Sequence, residues 1–381
     1  EAAAFSFPDP QDGRVEALGL VVEVPRRLSD DVLPGLFEAA QAAIAEAHDI
    51  ALRRLAFIGR GGLAKTSSGK IQRRSCRQAF LENRLEKLKA VFTTQLPRVK
   101  SCLVEGDAES SRQKADLLLA GLRDLARDRL DSRQMDDRRT PPPHLILEFG
   151  NLGLLGLQVP EALGGQGLLT SDAMRVLEQL GALDLSLGVF TVLQNGLGLR
   201  PLLTFGREDQ KQQLLPELAS GRRLIAFAYT EPAAGSNVRG IETTAQAEAD
   251  NRGLRLTGEK IWSGSSAWAH YLHSFAREKD VEGAPLGISA FLLRRGMAGF
   301  STGPEADTMG LRATVQNKVH FRAVALAQTD RIGAPGQGLE VAQDAMRFTR
   351  LCLAALCLGA MKEMLRLRYA FVKKRQVITG R

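Results

Sequence analysis

The hydrophobic pattern of this chain changes period twice, and this limits its fold more than any other feature. Between residues 111 and 220 apolar side chains recur at helical spacing, as in Leu117, Leu118, Leu122 and Leu125, then Leu177 and Leu180, then Leu187 and Phe190. Between residues 221 and 332 the period drops to two. Thr243 to Glu248, Leu254 to Thr257, Tyr271 to Phe275, Ile288 to Leu293 and Val319 to Val324 read as strands, and Asp250 to Gly253 reads as a hairpin turn. After Gly338 the helical spacing returns with Val341, Ala345, Phe348, Cys352 and Leu356. Short strands in that number imply a small antiparallel barrel or sandwich between two helical regions. Residues 1–95 alternate strand and helix, with a strand at Leu18 to Val24, a helix from Leu33 to Ala47 and a strand at Leu55 to Ile58. Residues 96–110, with Pro97 and Gly106, read as a linker. The expected fold class is multidomain α+β with a small α/β unit at the start.

A hydrophobic content of 44% and a charged content of 25% are those of an ordinary globular protein. The longest apolar run, Leu351 to Met361, is too short to span a bilayer, so no membrane partner is expected. The opening residues do not read as a signal peptide, and the first residue is Glu1 rather than Met, so a fragment is expected. Cys76, Cys102, Cys352 and Cys357 have no metal-ligand spacing, so no metal site is expected, and reduced thiols in the cytoplasm are the default. The net charge of +8 is concentrated late in the chain, where residues 333–381 hold nine Lys/Arg against Glu340, Asp344 and Glu363. That basic tail holds only Phe348, Tyr369 and Phe371 as aromatic residues and no nucleic-acid-binding motif, so nucleic acid is not an expected partner. Cofactor phosphates or an acidic carrier protein suit it, as does a plain solvated helix face.

One stretch stands out chemically. Residues 225–241 read IAFAYTEPAAGSNVRGI, a short strand with Ile225, Phe227 and Tyr229 on one side, stopped by Pro232. Gly235 and Ser236 follow, where backbone can approach a ligand and N–H groups can gather around an anion. Such a strand and loop suit a flat heteroaromatic ring carrying phosphates. On spacing alone a turn between two strands reads the same way.

The stretch resembles the flavin-binding signature of acyl-CoA dehydrogenases. Thr230, Glu231, Pro232, Ala234, Gly235 and Ser236 fall on that family's Thr-Glu-Pro-Gly-Ala-Gly-Ser run, with Ala233 in place of the first Gly and Asn237 where Asp is usual. Pro160 to Gly165, Gly206 to Gly221, Lys260 to Gly264 and Met309 to Thr314 match further family segments in order. The resemblance implies a helical domain at 111–220, a β-barrel domain binding flavin and substrate at 221–332, and the start of a truncated C-terminal helical bundle at 333–381. It implies FAD as cofactor, held by Tyr229, Thr230, Ser236, Trp262, Ser263 and Arg375. It also implies an acyl thioester on carrier protein or CoA as substrate, met by Ser236 and Thr349. The electron acceptor would be an electron-transfer flavoprotein or oxygen, and the complete protein a homo-oligomer; the alternatives are a flavin-dependent oxygenase on the same fold or a catalytically inactive fragment that docks carrier protein. Gly264 stands where the family usually has Ser or Thr against the flavin edge, with Ser263 or Ser265 as the possible replacement. Arg312 belongs to the turn that lines the cofactor in the family, or pairs with a buried carboxylate.

Dehydrogenation at Cα–Cβ needs a base for the α-proton. One family position for that Glu reads Phe348-Thr349-Arg350 here, so Arg350 matches the neighbouring catalytic Arg while Thr349 cannot accept the proton. The other family position lies beyond Arg381. A second resemblance covers the beginning of the chain: Lys65 to Arg77, containing KTSSGKIQRR, looks like the last motif of adenylate-forming enzymes and is most similar to fatty acyl-AMP ligases. There Lys70 matches the catalytic Lys that steadies the acyl carboxylate, and Ala64 replaces the usual Pro. Residues 1–95 would then be a ligase C-terminal subdomain, using ATP and Mg2+ only together with an N-terminal portion that this chain lacks.

Overall fold

A computed structural model describes residues 2–8, 16–25, 28–48, 52–66, 71–93, 107–249 and 253–375. The chain divides into two compact units, Glu1–Val99 and Lys100–Arg381.

The first unit is a four-stranded sheet with a helix on each face. In chain order it contains β1 (Ala2–Pro8), β2 (Glu16–Val24), α1 (Leu33–His48), β3 (Leu52–Gly59), α2 (Arg73–Leu81) and β4 (Leu88–Thr93). The strands lie in the order β1-β2-β3-β4; only β2 and β3 are parallel, since α1 carries the chain across the sheet between them. The central strand β3 shows why both faces are filled. Leu55 and Phe57 join Leu33 and the α1 side, whereas Ala56 and Ile58 join Cys76 and Phe80 of α2. The outer strands β1 and β4 were not legible from periodicity, because each is half of a pairing whose partner lies elsewhere in the sequence. An antiparallel bridge from Lys65 to Ile71 brackets the hydroxyl-rich loop. Lys70, the expected catalytic lysine, lies outside the described residues.

The second unit begins with helices: α3 (Ala108–Arg129), α4 (Ser132–Arg138), α5 (Pro143–Asn151), α6 (Thr170–Leu183) and α7 (Leu185–Val192). A π-helical segment, Leu193–Leu199, runs from α7 into α8 (Arg200–Phe205), and α9 (Glu208–Ala219) closes the group. Aspartate side chains cap three starts: Asp107 accepts from the N–H groups of Glu109 and Ser110, Asp131 from Gln134, and Asp184 from Leu187. The sheet follows as β5 (Ile225–Ala228), β6 (Thr244–Ala247), β7 (Gly253–Gly264), β8 (Tyr271–Lys279), β9 (Pro285–Arg294), β10 (Phe300–Glu305), β11 (Gln316–Ala327) and β12 (Arg331–Ile332). Last comes α10 (Gly338–Lys374), which packs against α6 and continues the helical core through Phe348, Cys352 and Leu356.

The sheet corrects the expectation of a wholly antiparallel barrel. Its order is β10-β11-β7-β6-β8-β9-β12, and β8 pairs in parallel with both β5 and β6. Ile225–Ala228 runs beside Tyr271–Ser274, and Thr244–Gln246 runs beside Arg277–Lys279. Thus β5 and β6 lie end to end along one edge of β8, and residues 229–243 leave that line as an excursion. Pro232 and the surrounding small residues cannot sustain a ladder, so the strand breaks there and resumes at Thr244. The β6–β7 hairpin forms as the sequence suggested, with Ala247 opposite Leu254.

Candidate functional site

The excursion at 229–243 forms one wall of a cavity of ≈ 200 Å³. Its other walls come from Leu193 and Leu197 of the π-helical segment, Ile261, Trp262 and Gly264 at the end of β7, Gln316 at the start of β11, and Met346 of α10. Four distant parts of the sequence therefore converge on Tyr229, Thr230, Gly235 and Val238.

The loop is held by a buried ion pair. Lys260, fully buried, donates from Nζ to the Glu231 carboxylate at 2.6 Å and to the Tyr229 carbonyl oxygen at 3.2 Å. The same carboxylate accepts from the backbone N–H groups of Glu242 and Thr243, so it ties the start of the excursion to its end. Burial pushes the Lys260 ammonium down to about 8, against the upward pull of Glu231. Burial would raise the Glu231 carboxyl, but the backbone N–H of Glu242, the Lys260 ammonium and Thr243 outweigh it and hold it below the usual carboxylate range. The Ile261 N–H donates to the Thr230 carbonyl at 2.8 Å, and the Tyr229 hydroxyl donates to the Val238 carbonyl at 2.6 Å. Burial moves that hydroxyl up to about 12, so Tyr229 acts as a neutral donor.

A bulge shapes the opposite wall. Asn317 pairs with Ser263 but Val319 pairs with Lys260, which gives β7 one extra residue there. Trp262 sits at the bulge with a φ of +57°, and its side chain remains 59% exposed while lining the cavity. A tryptophan in left-handed backbone is uncommon, and such positions cluster at ligand sites. The neighbouring Ser263 points the other way: it is fully buried and donates to the Phe227 carbonyl at 3.1 Å. It braces β5 against β7, and its side chain is not among those lining the cavity.

The remaining expected residues divide. Ser236 is exposed on the loop next to Gly235, outside the lining. Thr349 is turned from the cavity, buried to 7% exposure with no hydrogen-bond partner for its hydroxyl, against Gly196 of the π-helical segment. Met346, one turn earlier on α10, faces the cavity in its place. Arg350 is exposed on α10, and Arg375 stacks its guanidinium 5.8 Å from the Phe371 ring at the helix end; neither lines the cavity. Arg312 forms a 3.2 Å ion pair with Asp136 of α4, an exposed carboxylate in place of the buried one considered from sequence. No Asp or Glu is among the residues lining the cavity, and no cluster of metal-ligating side chains occurs among the described residues.

Sequence reasoning missed Leu193, Leu197, Gln316 and Met346. The only early signal for Gln316 is strand pairing, since it lies directly opposite Gly264 in the β7–β11 register. Thr230 and Gln316 place polar groups in a cavity whose other walls are mainly apolar, and neither side chain has a recorded partner among the described residues. This is the pattern of a site for a flat, largely apolar ligand with a polar edge.

A helical layer, a sheet with one interrupted edge and a closing helix define a class of ligand-binding α+β proteins with the cleft at the interruption. Residues 112–222 match the acyl-CoA dehydrogenase N-terminal domain and residues 226–324 the middle domain; this portion of the chain belongs to the acyl-CoA dehydrogenase family. The human very long-chain specific acyl-CoA dehydrogenase is 34% identical over 215 residues, which is 55% of this chain and 33% of the relative. A probable acyl-CoA dehydrogenase of Bacillus subtilis is 34% identical over 235 residues, 61% of this chain and 38% of the relative. The chain thus spans little more than a third of the length of these curated relatives. A solved acyl-CoA dehydrogenase of Bacillus anthracis, complexed with FAD, superposes with a TM-score of 0.64 at 28% identity, covering 72% of this chain and 46% of that one.

Proposed function

We propose that the cavity between the 229–243 excursion and the β7 bulge binds the flavin ring of FAD, and that the protein dehydrogenates an acyl thioester at Cα–Cβ. The observation that carries this reading is the cavity itself: Thr230 and Trp262, singled out from the motif, lie 32 positions apart and meet on one small, mainly apolar void. The FAD held by the Bacillus anthracis relative supports the same reading. Bound there, FAD supplies the electron-accepting ring. Thr230 offers its hydroxyl to the ring edge, Trp262 covers one side, and Leu193, Leu197 and Met346 exclude water. Gly235 and Ser236 offer exposed backbone toward the thioester arm. The proton acceptor is none of the side chains now lining the cavity, since no carboxylate is among them.

The substrate carrier is acyl carrier protein or CoA, both of which present a pantetheine arm. The α/β layout of the first unit and the resemblance of Lys65 to Arg77 support a fatty acyl-AMP ligase subdomain beside the dehydrogenase, in a cytoplasmic fatty acid-activating protein. Exposed apolar side chains along α10, among them Leu351, Met361, Leu365 and Phe371, support a covered position for that face in a homo-oligomer or a fuller helical bundle. No helix among the described residues is long and apolar enough to cross a membrane.

The test is anaerobic mixing of the FAD-loaded full-length protein with acyl thioesters while the flavin absorbance is followed. Bleaching with formation of the 2-enoyl product is expected. A flavin that stays oxidised with every acyl-CoA and acyl carrier thioester would reject the dehydrogenase reading, and turnover that consumes oxygen and inserts it into the product would make the protein an oxygenase.

A further inference from the structure

Gln316 is the cavity residue that no motif accounts for. It opens β11 directly opposite Gly264, the last residue of β7. A Cβ placed on Gly264 would stand 2.6 Å from Leu193 Cδ1, so a side chain there would force the Leu193 side chain to shift. The same point lies 3.7 Å from the Gln316 amide nitrogen and 3.8 Å from its amide oxygen. The carboxamide thus lies beside the space that a side chain at 264 would occupy. It is half-buried, lines the cavity and has no recorded partner among the described residues.

A half-buried amide whose donor and acceptor are not committed to other side chains is free to meet a ligand's polar edge. An amide presents a donor and an acceptor side by side, and its complement is a ring edge carrying the same pair in reverse, such as a lactam or imide. Thr230, the other polar side chain on this cavity without a recorded partner, can serve a second point on the same ring.

We propose that Gln316 hydrogen-bonds the polar edge of the bound flavin, as a ligand-orienting residue made possible by Gly264. This rests on the flavin reading above. The amide orients the ring and polarises its carbonyl and N–H groups, so it affects both affinity and the ring's electronic spectrum.

The full-length protein, stripped of cofactor, is titrated with FAD by fluorescence quenching as wild type, Gln316→Leu and Gln316→Glu. Because Gln316 bonds no other side chain among the described residues, all three are expected to melt within a degree or two of one another. Gln316→Leu is expected to bind FAD about 10-fold more weakly, the loss of one net hydrogen bond, with a displaced long-wavelength flavin band. Gln316→Glu, which keeps acceptors and loses the donor, is expected to shift the band in a different manner and lower the reduction potential by placing negative charge beside the ring. Wild-type affinity and an unchanged spectrum in both variants overturn the proposal while leaving the flavin site standing. If the wild type itself binds no FAD, the flavin reading falls and the proposal falls with it.

Discussion

Lys260 and Glu231 show how much of the site depends on two side chains that never reach it. Their ion pair is sealed from solvent, at 0% and 4% side-chain exposure, and it joins β7 to both ends of the excursion. Removing one partner strands the other charge, so Lys260→Met is expected to cost about 3–5 kcal/mol of stability. Adding Glu231→Leu should recover part of that loss, which a double-mutant cycle of denaturant unfolding would measure. An additive double mutant would mean that the two charges are not coupled. His273 gives the pH dependence at this scale. It is fully buried, donates from Nε2 to the Gly198 carbonyl at 2.8 Å, leaves Nδ1 without a partner, and burial drives its pKa down to about 4. The unfolded chain takes up this proton near pH 6.5, while the folded chain resists it until about 4. Stability from this group is therefore present above 6.5 and is lost as pH falls through 4, by about 3 kcal/mol in all. Unfolding free energies of wild type and His273→Gln between pH 7 and 4 should converge as the acid side is approached; parallel curves would refute the assignment.

At the scale of elements, the π-helical segment and α10 are fitted to each other. A Cβ on Gly196 would stand 2.5 Å from Thr349 Oγ1, and Arg200, just past the segment, pairs with Asp344 of α10 at 2.6 Å. Gly196→Ala is expected to destabilise by about 1–3 kcal/mol through overpacking. Thr349→Ala alone should be close to neutral, because the hydroxyl it removes is buried and unpartnered, and it should relieve much of the Gly196→Ala penalty. Thermal melts of the four combinations would show the relief as non-additivity. The same contact bears on chemistry. Thr349 occupies the sequence position where relatives were expected to carry a carboxylate, yet here its side chain packs under Gly196, so Thr349→Glu should destabilise the protein without supplying a base.

At the scale of the whole molecule, the two units have separate cores. Phe5, Phe7, Ile58 and Phe80 belong to one and share no member with the cluster of Leu118, Leu155, Val176 and Leu356. Phe80, at 1% exposure with Phe5 and Phe7 packed edge-on to its ring, is the centre of the smaller core. Phe80→Ala should cost about 3–5 kcal/mol there. Calorimetry is expected to show two transitions, with this substitution lowering one and leaving the other, and FAD binding, in place. A single transition that shifts as a whole would mean the units unfold together.

Much of this was legible in one dimension. Helical and strand periods located the helical region, the strands β7, β8, β9 and β11, and α10, since each buries one face of a regular element and repeats accordingly. The motif at 230–236 and the Trp at 262 were visible because they are local: backbone breakers and an aromatic residue sit within a few positions of one another. What periodicity could not show were β1, β4, β10 and β12, whose short or edge-on pairing is set by partners elsewhere. Nor could it show that β5 and β6 share one edge of β8, or that Ser263 faces inward while Trp262 faces out. That choice is made by a single extra residue in β7, which reverses the alternation at the bulge, and the pairing with β11 creates it. Gln316 and Met346 became site residues for the same reason. The sequence by itself determined which segments are helix or strand and where the backbone must break, because these follow from neighbours along the chain. Only the tertiary structure decided which side chains share the cavity, because strand register and helix packing bring together residues whose separation in sequence carries no information about their distance in space.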